Sequence, residues 1–390
     1  MKYVILTISI FCFLSACNRK TTPKIYYSNQ HLVDSVTKDS IIEHTKNNIY
    51  TPQQEVIKPN NRRFYWTAFN EIKQMLAQNN LDFKKSVFIT ENAWFEDSLD
   101  YQLFDAEIQR LAYISKQLSK KKIIEYDFPD YEQVNLNAAI FKIITDTTTL
   151  LSSSNISFKS MPYSYDFSDF SGKKDWTKMF VSKLLITNQG NCHSIPFLYK
   201  ILAEELHSNA WLAFAPHHIY IKSKCKKRGM YNTELTSGEF PTDAWIACSG
   251  YISTESIQSG IYMDTLSLKQ SVAYTLYDLA KGYQRKFGVE DGEFILTCIN
   301  ELTLYYPNSI NALLLKAETL RKLVQPKLNE VASNNDIANK YTVMENTYSL
   351  INKLGYNEMP EQNYKEWLEI LHTKRQQNIE INTIFKPKSK

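Results

Sequence analysis

Beyond its first seventeen residues the chain lacks any apolar run long enough to cross a bilayer. It also lacks a charge excess, since 45 basic side chains against 41 acidic ones leave only +4 over 390 residues. So weak a field offers nucleic acid little to hold. The basic run at 222–228 (Lys-Ser-Lys-Cys-Lys-Lys-Arg) is short and reads as a solvated hairpin tip. Cysteine is scarce, and Cys192, Cys225, Cys248 and Cys298 match no zinc spacing. No metal and no cofactor are expected.

What is present begins at the N-terminus. Lys2 precedes an apolar run at 4–13, too short for an anchor, and Leu14-Ser15-Ala16-Cys17 follows. That tetrapeptide resembles a bacterial lipobox, which implies cleavage before Cys17 and lipid attachment to its sulfur. Residues 1–17 are therefore expected to be a lipoprotein signal peptide, and the polar stretch 18–61 a disordered tether. The body is expected to be lipid-anchored in the bacterial cell envelope, touching the membrane through the lipid. Asn18, directly after Cys17, favours the outer membrane. In such an exported chain Cys225 and Cys248 flank one predicted β segment and are placed to form a disulfide.

The remaining length, roughly 330 residues, exceeds what one core usually serves. Residues 62–174 read as helical, with Trp66, Phe69, Ile72 and Leu76, then Phe104, Ile108, Leu111 and Ile114, at three- and four-residue spacings. An aromatic, Ser-rich loop at 161–171 is placed to wall a cleft, and its rings also suit a sugar. Residues 175–265 read as an α+β core. A helix from Cys192 to 206 buries Ile195, Leu198, Leu202 and Leu206, and short strands at 211–215, 219–222 and 230–236 form a small antiparallel sheet. Residues 266–378 read as successive helices at 271–287, 293–305 and 309–324, with at least two more, before a polar tail at 379–390. The junction around Tyr306-Pro307-Asn308 looks like that between tetratricopeptide-type repeats.

One pair of segments carries chemistry. Gln189-Gly190-Asn191-Cys192 sets a thiol at a helix N-terminus, where the dipole and free N–H groups acidify it. Pro216-His217-His218-Ile219-Tyr220 opens an alternating strand with an imidazole. Brought together, Cys192 and His218 make the minimal unit for acyl transfer through sulfur. A metal site from Cys192, His193, His217 and His218 competes, but the spacings suit a helix and a strand with separate tasks.

Over 175–249 the chain resembles the transglutaminase-like superfamily, a papain-related cysteine fold, in the bacterial branch where such a core precedes helical repeats. The carrying motifs are Gly190-Asn191-Cys192 with Leu198-Tyr199 and Leu202-Ala203, and Pro216-His217-His218-Ile219-Tyr220. The aromatic two residues beyond His218 favours it over His217. The resemblance implies Cys192 as nucleophile, His218 as proton carrier, and an acid or Asn on the third strand. Here Asn232-Thr233-Glu234-Leu235-Thr236 stands where the family commonly has Asp, so Glu234 or Asn232 would orient the imidazole. The backbone N–H of Cys192, helped by Gln189, would hold the oxyanion. The implied activity is thiol-dependent acyl transfer or amide hydrolysis on a peptide or protein substrate. The alternative is a non-catalytic scaffold whose helical repeats bind a partner protein.

Overall fold

The computed structural model describes residues 61–151 and 157–384. The expected signal peptide, Cys17 and all of the tether but Asn61 lie outside them. The stretch expected to be helical over 62–174 opens with three helices, α1 (Arg62–Ala77), α2 (Phe83–Trp94) and α3 (Tyr101–Ser119). Asp82 and Asp100 open the second and third by accepting first-turn N–H groups. Helix α4 (Tyr131–Thr145) follows, then an antiparallel hairpin of β1 (Thr148–Leu151) and β2 (Ser157–Ser160) that the sequence pattern did not signal.

The aromatic loop contributes β3 (Ser164–Tyr165), which pairs in parallel with β4 (Gln189–Gly190). Between them lie a 3₁₀ turn (Trp176–Met179) and α5 (Val181–Thr187). Helix α6 (Ser194–Glu205) leads into the antiparallel sheet β5 (Ala210–Ala215), β6 (His218–Cys225) and β7 (Gly229–Thr233), ordered β5-β6-β7. The fold is α+β with a helical bulk.

The rest is helical: α7 (Asp243–Ser249), α8 (Thr254–Gln258), α9 (Leu268–Phe287), α10 (Glu293–Tyr305), α11 (Ile310–Val324), α12 (Asn335–Lys353) and α13 (Glu361–Ile384). Among the described residues no helix is long and apolar enough to cross a membrane. Helix α13 departs from expectation at its end, running as helix to Ile384 where a polar tail was expected from 379.

Helix α6 is the centre of the fold, packed by α3, α4 and α5 and by strands β5 and β6. Its residues 194–203 are all buried. Phe197 meets Phe83 of α2 with ring centroids 5.2 Å apart. Helix α9 lies against α1, α2 and α10. Buried side chains from Tyr65 to Leu371 form one contiguous hydrophobic cluster. Each fully buried Leu or Phe contributes about 1.5–3 kcal/mol, so α6 has little freedom to shift. The four cysteines among the described residues are free. Cys225 is buried beside Tyr126 and Val134, whereas Cys248 is exposed on α7, so the expected Cys225–Cys248 disulfide is not formed.

Candidate active site

The turn before α6 is built by its own sequence. Asn191 Oδ1 accepts from the N–H groups of His193 (3.0 Å) and Ser194 (3.1 Å). Ser194 Oγ in turn accepts from the Asn191 N–H at 3.1 Å. This reciprocal cap fixes the first turn and sets Cys192 at its start. Gly190 is required there, because a Cβ would lie 2.5 Å from Ser194 Oγ and 2.7 Å from Leu184 Cδ1.

His218 is placed by a two-residue hairpin, with Ala215 opposite His218 across β5 and β6. Pro216 presets the first turn position, and His217 takes the second with φ +55°. The result brings Cys192 and His218 together. His218 Nε2 donates to Glu234 Oε2 at 2.5 Å. Glu234 Oε1 accepts from the Thr236 N–H at 2.7 Å. With Nε2 occupied, Nδ1 is the ring nitrogen left for sulfur, and no other group takes it.

Cys192, His218 and Glu234 are 7%, 2% and 2% exposed, which makes their charges interdependent. Burial pushes the Cys192 thiol up, but the nearby His218 ring, with Tyr165 and Tyr364, holds it below its ordinary value, while Sγ itself lies 3.7 Å from His217 O and 3.9 Å from Tyr364 Oη. Burial opposes protonation of His218, yet the Glu234 charge and then Cys192 raise it to about 10. Burial would raise Glu234, and His218 with the Thr236 N–H overcomes this and lowers it. All three directions describe a thiolate–imidazolium pair backed by a carboxylate.

The two candidate orienters separate cleanly. Asn232 stands two residues before Glu234, but its amide donates to Pro241 O (3.0 Å) and Asp243 Oδ1 (2.8 Å) instead. It is not the His218 partner. Gln189 is exposed in β4, and among the described residues its side chain is not joined to the triad. His193 points the other way, with Nδ1 2.9 Å from Met179 O and Nε2 3.0 Å from Asp278 Oδ1. Among the described residues no group of three or more His, Cys, Asp or Glu converges as a metal site.

Three residues at the site were missed from sequence. Tyr165, in the loop singled out as a cleft wall, lies beside the sulfur with its hydroxyl buried and unpartnered. Tyr364 of α13 donates to His217 O at 3.0 Å and sits 3.9 Å from Cys192 Sγ. Trp367, one turn on, faces the His218 ring at 4.9 Å. Further along α13, Arg375 donates to Leu235 O, Thr236 O and Tyr163 O at 2.9–3.2 Å. The stripe Tyr364, Trp367, Leu368 and Leu371 is buried, so α13 covers the site. The stripe is visible in the sequence, but where it docks is not.

No family model and no curated protein matches the chain. Among solved structures it is similar, at 12% identity and a TM-score of 0.27, to menin, in a structure whose title announces the binding site for Mixed Lineage Leukemia (MLL) protein. That alignment covers 86% of this chain and 88% of the other. At such a score the likeness bears on neither fold family nor function.

Proposed function

We propose that this is a cell-envelope lipoprotein with a transglutaminase-like, papain-related centre, preceding a tetratricopeptide-like helical region, that performs thiol-dependent acyl transfer or amide hydrolysis on peptide or protein substrates. The observation that carries the reading is the buried Cys192–His218–Glu234 chain, with one ring nitrogen on the carboxylate and the other left to the sulfur.

In the first half-reaction the Cys192 thiolate attacks the amide carbon and the C–S bond forms. The oxyanion is held by the Cys192 N–H, and the hydroxyls beside the sulfur are those of Tyr364, 3.9 Å from Sγ, and Tyr165. His218 passes its Nδ1 proton to the leaving nitrogen as the C–N bond breaks. In the second, His218 takes a proton from the attacking water or amine, and the C–S bond breaks to restore the thiolate. Glu234 holds the imidazole orientation and its charge throughout.

The iodoacetamide alkylation rate of Cys192 against pH tests this. The wild type should react well below the pH where an ordinary thiol ionises, and His218→Ala should lose that reactivity by about 100-fold at pH 7. Identical ordinary-thiol profiles for the two would sink the reading. The burial of the sulfur beneath Tyr364 and Trp367 favours a second reading, a non-catalytic scaffold that binds a partner protein through its helices. Full complementation of a deletion strain by Cys192→Ser would establish that one.

A further inference from the structure

Among the described residues, His218 Nδ1, Trp367 Nε1 and the Tyr165 hydroxyl are buried polar atoms at the candidate site with no hydrogen-bond partner. A buried polar group left unpaired is costly, and in a native fold it calls for a reason. His218 Nδ1 has one, since it exchanges a proton with the sulfur. Trp367 belongs to the covering helix and lies against the His218 ring. Tyr165 belongs to the body of the site and has no task yet.

Its place is set by the backbone. Strand β3 runs parallel to β4 with Tyr165 opposite Gly190, and the Asp166 N–H donates to Gly190 O at 2.7 Å. Gly190 stands two residues before Cys192, so the strand carrying Tyr165 is bonded to the turn that presents the sulfur. Ser164 is exposed and Tyr165 buried, which turns the phenol inward, where Phe167 packs on it at 4.5 Å. The other hydroxyl beside the sulfur, that of Tyr364, gives its single proton to His217 O at 3.0 Å. The proton of Tyr165 is uncommitted. Burial and then the Cys192 charge raise Tyr165 well above its ordinary value, so it stays a neutral donor.

We propose that Tyr165 is a catalytic residue whose hydroxyl donates to the substrate carbonyl oxygen as the Cys192 thiolate adds to the carbonyl carbon, completing the oxyanion site begun by the Cys192 N–H. The C–S bond forms while the carbonyl π pair moves onto oxygen. That pair returns as the leaving group departs, and the phenol keeps its proton throughout. A hydroxyl idle in the resting site and engaged only as charge reaches the oxygen favours the transition state over the ground state. The assignment rests on the acyl-transfer reading.

Two electrophiles test it on the full chain. p-Nitrophenyl acetate acetylates the sulfur through an oxyanion and releases nitrophenolate, whereas iodoacetamide is displaced at a saturated carbon and forms none. Tyr165→Phe should slow nitrophenolate release about 100-fold, with alkylation by iodoacetamide close to the wild-type rate. Because the hydroxyl has no partner to lose, the melting temperature should hold. Tyr364→Phe should slow release far less. Unchanged release in Tyr165→Phe, an equal loss in Tyr364→Phe, or a wild type that is alkylated but never acetylated would overturn the proposal. Equal slowing of both electrophiles in Tyr165→Phe would also overturn it, by reducing the tyrosine to a support for the sulfur. An ordinary-thiol alkylation profile in the wild type would instead sink the acyl-transfer reading, and this assignment with it.

Discussion

Cys192 and His193 are chain neighbours, yet each opens onto a different buried imidazole–carboxylate pair. In front, His218 meets Glu234 at 2.5 Å and keeps Nδ1 for the sulfur. Behind, His193 meets Asp278 at 3.0 Å and gives its other nitrogen to Met179 O. Two acceptors on one imidazole require two N–H groups, so His193 is held as the cation. Burial opposes that charge, and Asp278 with the Met179 carbonyl overcomes it, raising His193 above its ordinary value. The lesson is that a raised histidine beside a carboxylate is not in itself a reactive one. What distinguishes the two is the second ring nitrogen, committed to a carbonyl in one case and free to exchange a proton with a thiol in the other.

The largest effects should come from exchanging the two imidazoles in turn. His218→Asn and His193→Asn each leave a buried carboxylate short of its cation, which costs about 3–5 kcal/mol in stability by denaturant titration. Only His218→Asn should slow Cys192 alkylation. Should His193→Asn slow it equally while remaining folded, the front and rear pairs act as one system and the distinction fails.

Next in size is the cover. The guanidinium of Arg375 ties α13 to carbonyls on both sides of the site. Losing those bonds in Arg375→Ala should ease opening by about 1.4 kcal/mol, a tenfold faster alkylation of Cys192. An unchanged rate would mean that the sulfur is reached by another route or that the apolar stripe alone holds the helix.

Much of the front site was legible because its determinants are local. A capped turn places Cys192, a Pro-containing hairpin places His218, and both motifs are written in contiguous residues. The choice between Glu234 and Asn232 was not legible, since they stand two residues apart in the sequence, Asn232 in β7 and Glu234 just past its end. It is decided by Pro241 and Asp243, which reach the Asn232 amide from a later loop. The rear pair was invisible for a similar reason. His193 and Asp278 are 85 residues apart, and only the placing of α9 beside the turn before α6 brings them together. Helix α13 was readable as a helix, yet its docking on Cys192 spans 172 residues, which no periodicity records.

The smallest effect belongs to Glu91, which faces the rear pair and sharpens the comparison through pH. Its two oxygens accept from the N–H groups of Val181 (2.6 Å) and Ser182 (2.8 Å) at the start of α5. Burial nonetheless dominates those bonds and the nearby His193 charge, raising the carboxyl to about 7. A carboxyl raised on folding binds its proton more tightly in the native state. Its contribution is therefore fully present below about 4.5, the unfolded value, and is lost as pH rises through 7. Glu91→Gln abolishes that titration but turns an amide NH₂ toward one of the two backbone N–H groups, so the variant should be the less stable at pH 5. The gap should then narrow by on the order of 1 kcal/mol between pH 5 and 8, as the wild type loses its linkage share. The front pair has its own pH signature: the contribution of raised His218 is full below 6.5 and is lost as pH rises from there through 10, and that of lowered Glu234 is lost as pH falls below 4.5. Melting temperatures of the two proteins across that range separate the contributions, and a gap that stays constant from pH 5 to 8 would show that Glu91 is ionised throughout and that its two backbone donors outweigh its burial.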